Sequence, residues 1–215
     1  MGLIMLRSET VFVIGAGASK EVGLPIGSEL ASIIRARMDI EGTGDKELLN
    51  EIRSPRFATG AGGDAYGQAA ARMRDGIILA NSIDDFLDQN NDDKCINLYG
   101  KAAIVKYIIE AERLSSMFYR AGTSINFEQI SSTWYVSFFK KLTRGISHKK
   151  LDDVFHGLTL ISFNYDRCLE HFLFNALVRL YDVDAKKAAD ICNNAKIFHP
   201  YGVVGVTQSL LAAIR

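Results

Sequence analysis

The chain has 215 residues, 48% of them hydrophobic and 23% charged, a globular composition with ample apolar material for a core. Lys plus Arg equals Asp plus Glu, at 25 each, so no net field draws it to nucleic acid or to an anionic membrane. The length suits one α/β domain with a large insertion, or two small domains.

The three cysteines, Cys95, Cys168 and Cys192, are widely spaced and odd in number. That pattern indicates neither a disulfide framework nor a zinc site, and no metal is expected. Reduced thiols in a cytoplasmic protein are the plain reading. No apolar run is long enough to span a bilayer. Met1 to Leu6 is apolar but short, ended by Arg7 and Glu9, and makes a poor signal peptide.

Thr10 to Ile14 reads as a first strand, continuously apolar as buried parallel strands are. It runs into the turn Gly15-Ala16-Gly17-Ala18-Ser19, whose backbone N–H groups and following helix suit a phosphate. A tight strand-to-helix turn without a ligand explains the same residues. After Gly23-Leu24-Pro25-Ile26-Gly27, Ser28 is the expected N-cap of a helix whose apolar face is Leu30, Ile33, Ile34 and Met38. Residues 53–67, rich in glycine and alanine, read as a mobile loop or lid. Ser82 with Asp85 forms a capping-box pattern, and Asp84 and Asp85 read as first-turn acids rather than a catalytic pair.

Ile104, Val105, Ile108 and Ile109 mark a further helix, as do Trp134, Phe138, Phe139 and Leu142. No strand is expected between Gly27 and Gly157. Leu158 to Phe163 is the second strand, ending in Asn164-Tyr165-Asp166. Asn and Asp there serve as helix caps or as ligand-binding groups in the crevice at a strand's carboxyl end. A helix with Leu169, Phe172, Leu173, Ala176, Leu177 and Leu180 on one face follows, then a shorter one over Ala185 to Asn193. Ala195 to Phe198 is a short third strand that ends at His199, shaped by Pro200 and Gly202. His199 is either a satisfied structural histidine or an acid–base group suited to neutral pH.

Taken together, Gly15-Ala16-Gly17-Ala18-Ser19 with Gly23-Leu24-Pro25, Asn164-Tyr165-Asp166, and His199 with Gly202 resemble the sirtuin-like family. The resemblance implies a glycine-rich NAD loop, an Asn-x-Asp motif and a catalytic histidine, in that order. The third glycine of the dehydrogenase fingerprint is replaced by Lys20. The Asp-Phe-Arg element of deacetylating sirtuins is replaced by Ile26-Gly27-Ser28, and their paired zinc cysteines are absent. These departures point to the bacterial sirtuin-like NAD hydrolases, a group found in anti-phage defence.

The resemblance implies an α/β fold, a Rossmann-like parallel sheet over 1–40 and 157–215 with a helical insertion subdomain over 41–156. It implies NAD glycohydrolysis, with NAD as substrate. Asn164 and His199 would be catalytic. Gly15, Ala16, Gly17, Ala18, Ser19, Gly23, Pro25, Asn164 and Asp166 would contact NAD. A non-catalytic NAD or nucleotide sensor, and a deacylase or ADP-ribosyltransferase, are the alternatives. A sheet of three short strands leaves an edge unpaired. Val203 to Val206 supplies at most one more strand and Leu210 to Ile214 a turn of helix. The expectation is therefore a domain truncated at its C-terminus, completed by self-association into a homo-oligomer, by a partner chain or by a missing C-terminal region.

Overall fold

The structure, a computed structural model, describes residues 9–42, 44–57, 64–118 and 124–205. In chain order the elements are β1 (Thr10–Ile14), α1 (Gly17–Lys20), α2 (Gly27–Arg37), α3 (Lys46–Ile52), α4 (Ala65–Gly76), α5 (Ile83–Gln89), α6 (Lys94–Leu114), α7 (Trp134–Leu142), β2 (Leu158–Ser162), α8 (Cys168–Tyr181), α9 (Ala185–Asn193) and β3 (Lys196–Phe198). Short 3₁₀ turns lie at Pro55–Phe57, Ile77–Leu79 and His148–Asp153. The fold is α/β, with a three-stranded sheet in the order β1-β2-β3 and both pairings parallel. Among the described residues no strand lies between Gly27 and Gly157, and no helix is long and apolar enough to cross a membrane.

Two compact units divide the chain. One holds Met1–Leu24 and Ala111–Arg215, the other Pro25–Glu110. The division differs from an insertion over 41–156. The physical reason is the core of the sheet-bearing unit. Met117, Ile125, Ile130, Tyr135, Phe138, Leu151 and Phe155 are buried in one cluster with Ile14, Leu158 and Leu160 of the strands. Described residues on both sides of 119–123 thus build the sheet's own core. The boundary at Glu110 falls inside the continuous helix α6, where amphipathic periodicity carries no mark of which core a turn faces.

The sheet is covered on one face. Phe12 meets Phe138 edge-on at 5.1 Å, and Phe172 of α8 packs against Tyr135 and Phe139 of α7. Leu169, Phe172, Leu173, Ala176 and Leu177 are buried as the helical period predicts, while Leu180 is exposed. On the opposite face Val11 and Val13 are 59% and 65% exposed. Register places Val13 beside Ile161 and Ile161 beside Phe198, which is itself exposed, so an apolar strip crosses the sheet.

The second unit is helical. Its α2 begins one residue before the expected Ser28 cap. The Ile26 N–H donates to the Glu29 carboxylate at 3.1 Å, and this reach-back opens the helix at Gly27. The Ser82 cap forms as predicted, accepting from the Asp85 N–H at 3.1 Å. Asp45 caps α3 and also accepts from the Tyr107 hydroxyl and the Lys106 ammonium of α6. Of the predicted lid, 58–63 lie outside the described residues. Pro55–Phe57 form one helical turn and Ala65 opens α4.

Val203 and Val204 do not form the expected fourth strand. The Val204 N–H instead donates to the Tyr165 carbonyl at 2.8 Å, which turns the chain back over the end of β2. Val206 and the expected helical turn from Leu210 to Ile214 lie outside the described residues.

Candidate functional site

Parallel pairing aligns Ile14 with Ser162 and Ile161 with Phe198. The residues that leave each strand therefore emerge at one edge of the sheet, the carboxyl edge where open α/β sheets hold ligands. Glycine turn, Asn164-Tyr165-Asp166 and His199 meet there.

Ser19, only 1% exposed, joins the first two segments. Its hydroxyl donates to Asp166 Oδ1 at 3.0 Å and accepts from Asn164 Nδ2 at 2.9 Å. A hydroxyl has one proton, so the 3.0 Å contact with Tyr135 is donated by the Tyr135 hydroxyl. Asp166 also accepts from the Cys168 N–H at 3.0 Å, an Asx turn that opens α8. Burial holds the Asp166 carboxyl above the usual carboxylate range, against the hydrogen bonds from Cys168 and Ser19. Asp166 is thus a buried organiser linked to Asn164 through Ser19.

Asn164 is 5% exposed. With its Nδ2 committed to Ser19, its Oδ1 is buried and accepts no hydrogen bond. The Asn164 carbonyl oxygen lies 3.2 Å from His199 Nδ1. His199 Nε2 lies 2.6 Å from Glu170 Oε1, both side chains about nine-tenths buried. The Glu170 hydrogen bond raises the His199 pKa above its ordinary 6.5, and burial opposes the shift without cancelling it. Glu170 Oε2 is buried and also without a partner.

The glycine turn is shaped from inside. The Ala18 and Ser19 N–H groups donate to the Gly15 and Ala16 carbonyls at 2.9 and 3.1 Å. These two N–H groups therefore face inward, which narrows the expected anion cradle. A Cβ at Gly15 or Gly17 would meet no atom within 4 Å, so no packing contact demands glycine at either position. Gly23 differs. Its φ of +99° is a left-handed conformation that favours glycine, and it closes the turn after α1. Pro25 is the first residue of the second unit. The Trp134 indole donates to the Ala18 carbonyl at 2.8 Å, and the Trp134 N–H to Glu21 at 2.7 Å, pinning α1 to α7.

Two residues of the constellation escape a linear reading. Tyr135 sits on an apolar helical face and reads as core. Glu170 lies in the first turn of α8 and reads as an acid favoured by the helix dipole. The available signal was the strand-end Asn-Tyr-Asp followed directly by a helix, whose first turn must face the same crevice. Arg167 is held elsewhere: its N–H and guanidinium bind the Glu112 carboxylate at 2.8 and 2.6 Å. Burial pushes the Cys168 thiol well up and the Cys192 thiol to about 12, so neither is a thiolate nucleophile. Among the described residues no group of three or more His, Cys, Asp or Glu is arranged to hold a metal ion. Comparison with family models, with curated proteins and with solved structures finds no match to this chain, so the site is read from its own geometry.

Proposed function

We propose that the chain is a sirtuin-like NAD glycohydrolase on a Rossmann-like domain, cleaving NAD to nicotinamide and ADP-ribose. The observation that carries the reading is the buried, unpartnered Asn164 Oδ1, in the same residue whose backbone carbonyl meets His199. A buried acceptor left without a donor is costly, on the order of 1–3 kcal/mol. A ribose hydroxyl or an ordered water would satisfy it. The open space at Gly15 and Gly17 adds support, since a pyrophosphate approaching the backbone would need it. Phe163 and Tyr201, half-exposed rings 5.5 Å apart, offer an apolar wall for a planar ring.

NAD brings the scissile bond between nicotinamide and ribose C1′. The chain does the rest. Gly15 to Gly17 hold the pyrophosphate, and Asn164 orients a ribose hydroxyl or the attacking water. His199 takes that water's proton as the bond to nicotinamide breaks and oxygen bonds to C1′. The reading sets this activity in the cytoplasm, where NAD destruction serves antiviral defence.

One observation favours a second reading. Both nitrogens of His199 face acceptors, so the ring has no lone pair free to act as base in this arrangement. A non-catalytic NAD sensor would need none. Incubation with NAD, followed by assay of free nicotinamide, separates the readings. Release without any peptide is expected. Binding without release would favour the sensor, and release only with an acylated peptide a deacylase.

A further inference from the structure

We infer that Glu170 is the positioning residue of this site, fixing the tautomer of His199 so that Nδ1 rather than Nε2 is the reactive nitrogen. The inference rests on the hydrolase reading for its consequence, though not for its geometry. Nε2 is held at 2.6 Å by a carboxylate, and Nδ1 at 3.2 Å by a neutral carbonyl. Both partners accept only, so the ring as held carries two protons. The charge-assisted bond is the shorter and stronger of the two. When the imidazolium gives up a proton to solvent water, it therefore gives up the one on Nδ1. What remains is an imidazole with Nε2–H donated to Glu170 and a lone pair on Nδ1, beside Asn164.

That arrangement has chemical content. A carboxylate behind one imidazole nitrogen orients the ring, selects the tautomer and stabilises the imidazolium formed when the other nitrogen takes a proton. Here an incoming hydroxyl or water would displace the looser contact to the Asn164 carbonyl. It would lose its proton to Nδ1, while Nε2–H stays on Glu170. The acidic groups facing His199 are Glu170 and the buried Asp166. The nearby cation Arg167 is paired with Glu112. Both facing acids favour the protonated ring, and no described cation is bonded to it.

Nitrogen-15 NMR of the histidine-labelled full chain, without NAD, tests this directly. The neutral form of His199 should be the Nε2–H tautomer, with a titration midpoint above 6.5. Glu170→Gln, which keeps the shape and removes the charge, should lower that midpoint by about one pH unit or more and mix the tautomers. In the nicotinamide assay the same variant should lose about a hundredfold in kcat with little change in KM, and its acidic limb should move to lower pH. A wild-type ring found as Nδ1–H, or a midpoint unmoved in folded Glu170→Gln, would overturn the inference. The wild-type tautomer decides even if the variant does not fold. A correct tautomer and midpoint in a chain that releases no nicotinamide would leave the dyad standing and remove the hydrolase reading.

Discussion

His199 and Asn164 are joined through a backbone carbonyl, yet they answer different needs. His199→Ala removes the proposed proton acceptor and the Glu170 pair, whereas Asn164→Ala removes the orphan oxygen and one donor to Ser19. Each substitution should lower nicotinamide release about a hundredfold or more while NAD binding largely survives. Turnover like wild type in both variants would refute the catalytic assignment. The His199–Glu170 pair also links stability to pH. Because folding raises the His199 pKa, its contribution is full below 6.5 and is lost as pH rises through the folded-state value. At Gly17 the open space separates stability from function. Gly17→Ala should stabilise the fold by roughly 0.4–1 kcal/mol through the unfolded state. Gly17→Val should fold and lose NAD affinity, as read by calorimetry; unchanged affinity in that variant would place the ligand elsewhere.

At the scale of elements, side chains that serve two elements decide what periodicity leaves open. Asp45 caps α3 and binds Tyr107 and Lys106 of α6 at 2.8 and 2.9 Å. Burial raises its pKa, but the bonds from Lys106, Leu48 and Tyr107 outweigh burial and leave it below 3.8. Folding therefore depresses this carboxyl. Its contribution is present above pH 3.8 and is lost as pH falls through the folded-state value. Asp45→Ala should cost about 0.5–2 kcal/mol for the cap alone. The difference from wild type should shrink in chemical denaturation at the acid end; an acid-independent difference would assign the cost to packing instead. Most elements were legible because each carries its own period. β1 and α9 match their predicted bounds, and the Ser82 cap marks the start of α5. Ser28 failed as a cap because Glu29 supplies the reach-back bond two residues earlier, at the Ile26 N–H. The two residues compete for the same short stretch of backbone.

At the scale of the whole molecule, the open sheet face is where the expected self-association can be tested. Parallel sheets are normally covered on both faces, and Val11, Val13 and Phe198 leave this one apolar and exposed. From the unpaired edge of a short sheet the sequence implies self-association, a partner chain or a missing C-terminal region, and this face is the surface at which we propose to test the first. Val13→Lys should shift the mass seen by light scattering from oligomer to monomer while far-UV circular dichroism stays unchanged. A wild-type chain that is monomeric at the concentrations of the nicotinamide assay would dismiss the expectation.

The amino-acid sequence by itself determined the strands, most helices and the three polar segments at the strand ends. Each of these is a local matter of hydrophobic period, glycine placement and capping chemistry, settled within about ten residues. Only the tertiary structure decided which segments meet. Ser19 lies 116 residues from Tyr135, 145 from Asn164 and 147 from Asp166, and no local rule links them. The partition into units was decided in the same way, because α6 has the same helical period on both sides of Glu110. The role of Glu170 was decided last of all. A first-turn acid and a histidine partner have one signature in sequence, and only the return of β3 to the side of β2 brings His199 within 2.6 Å of it.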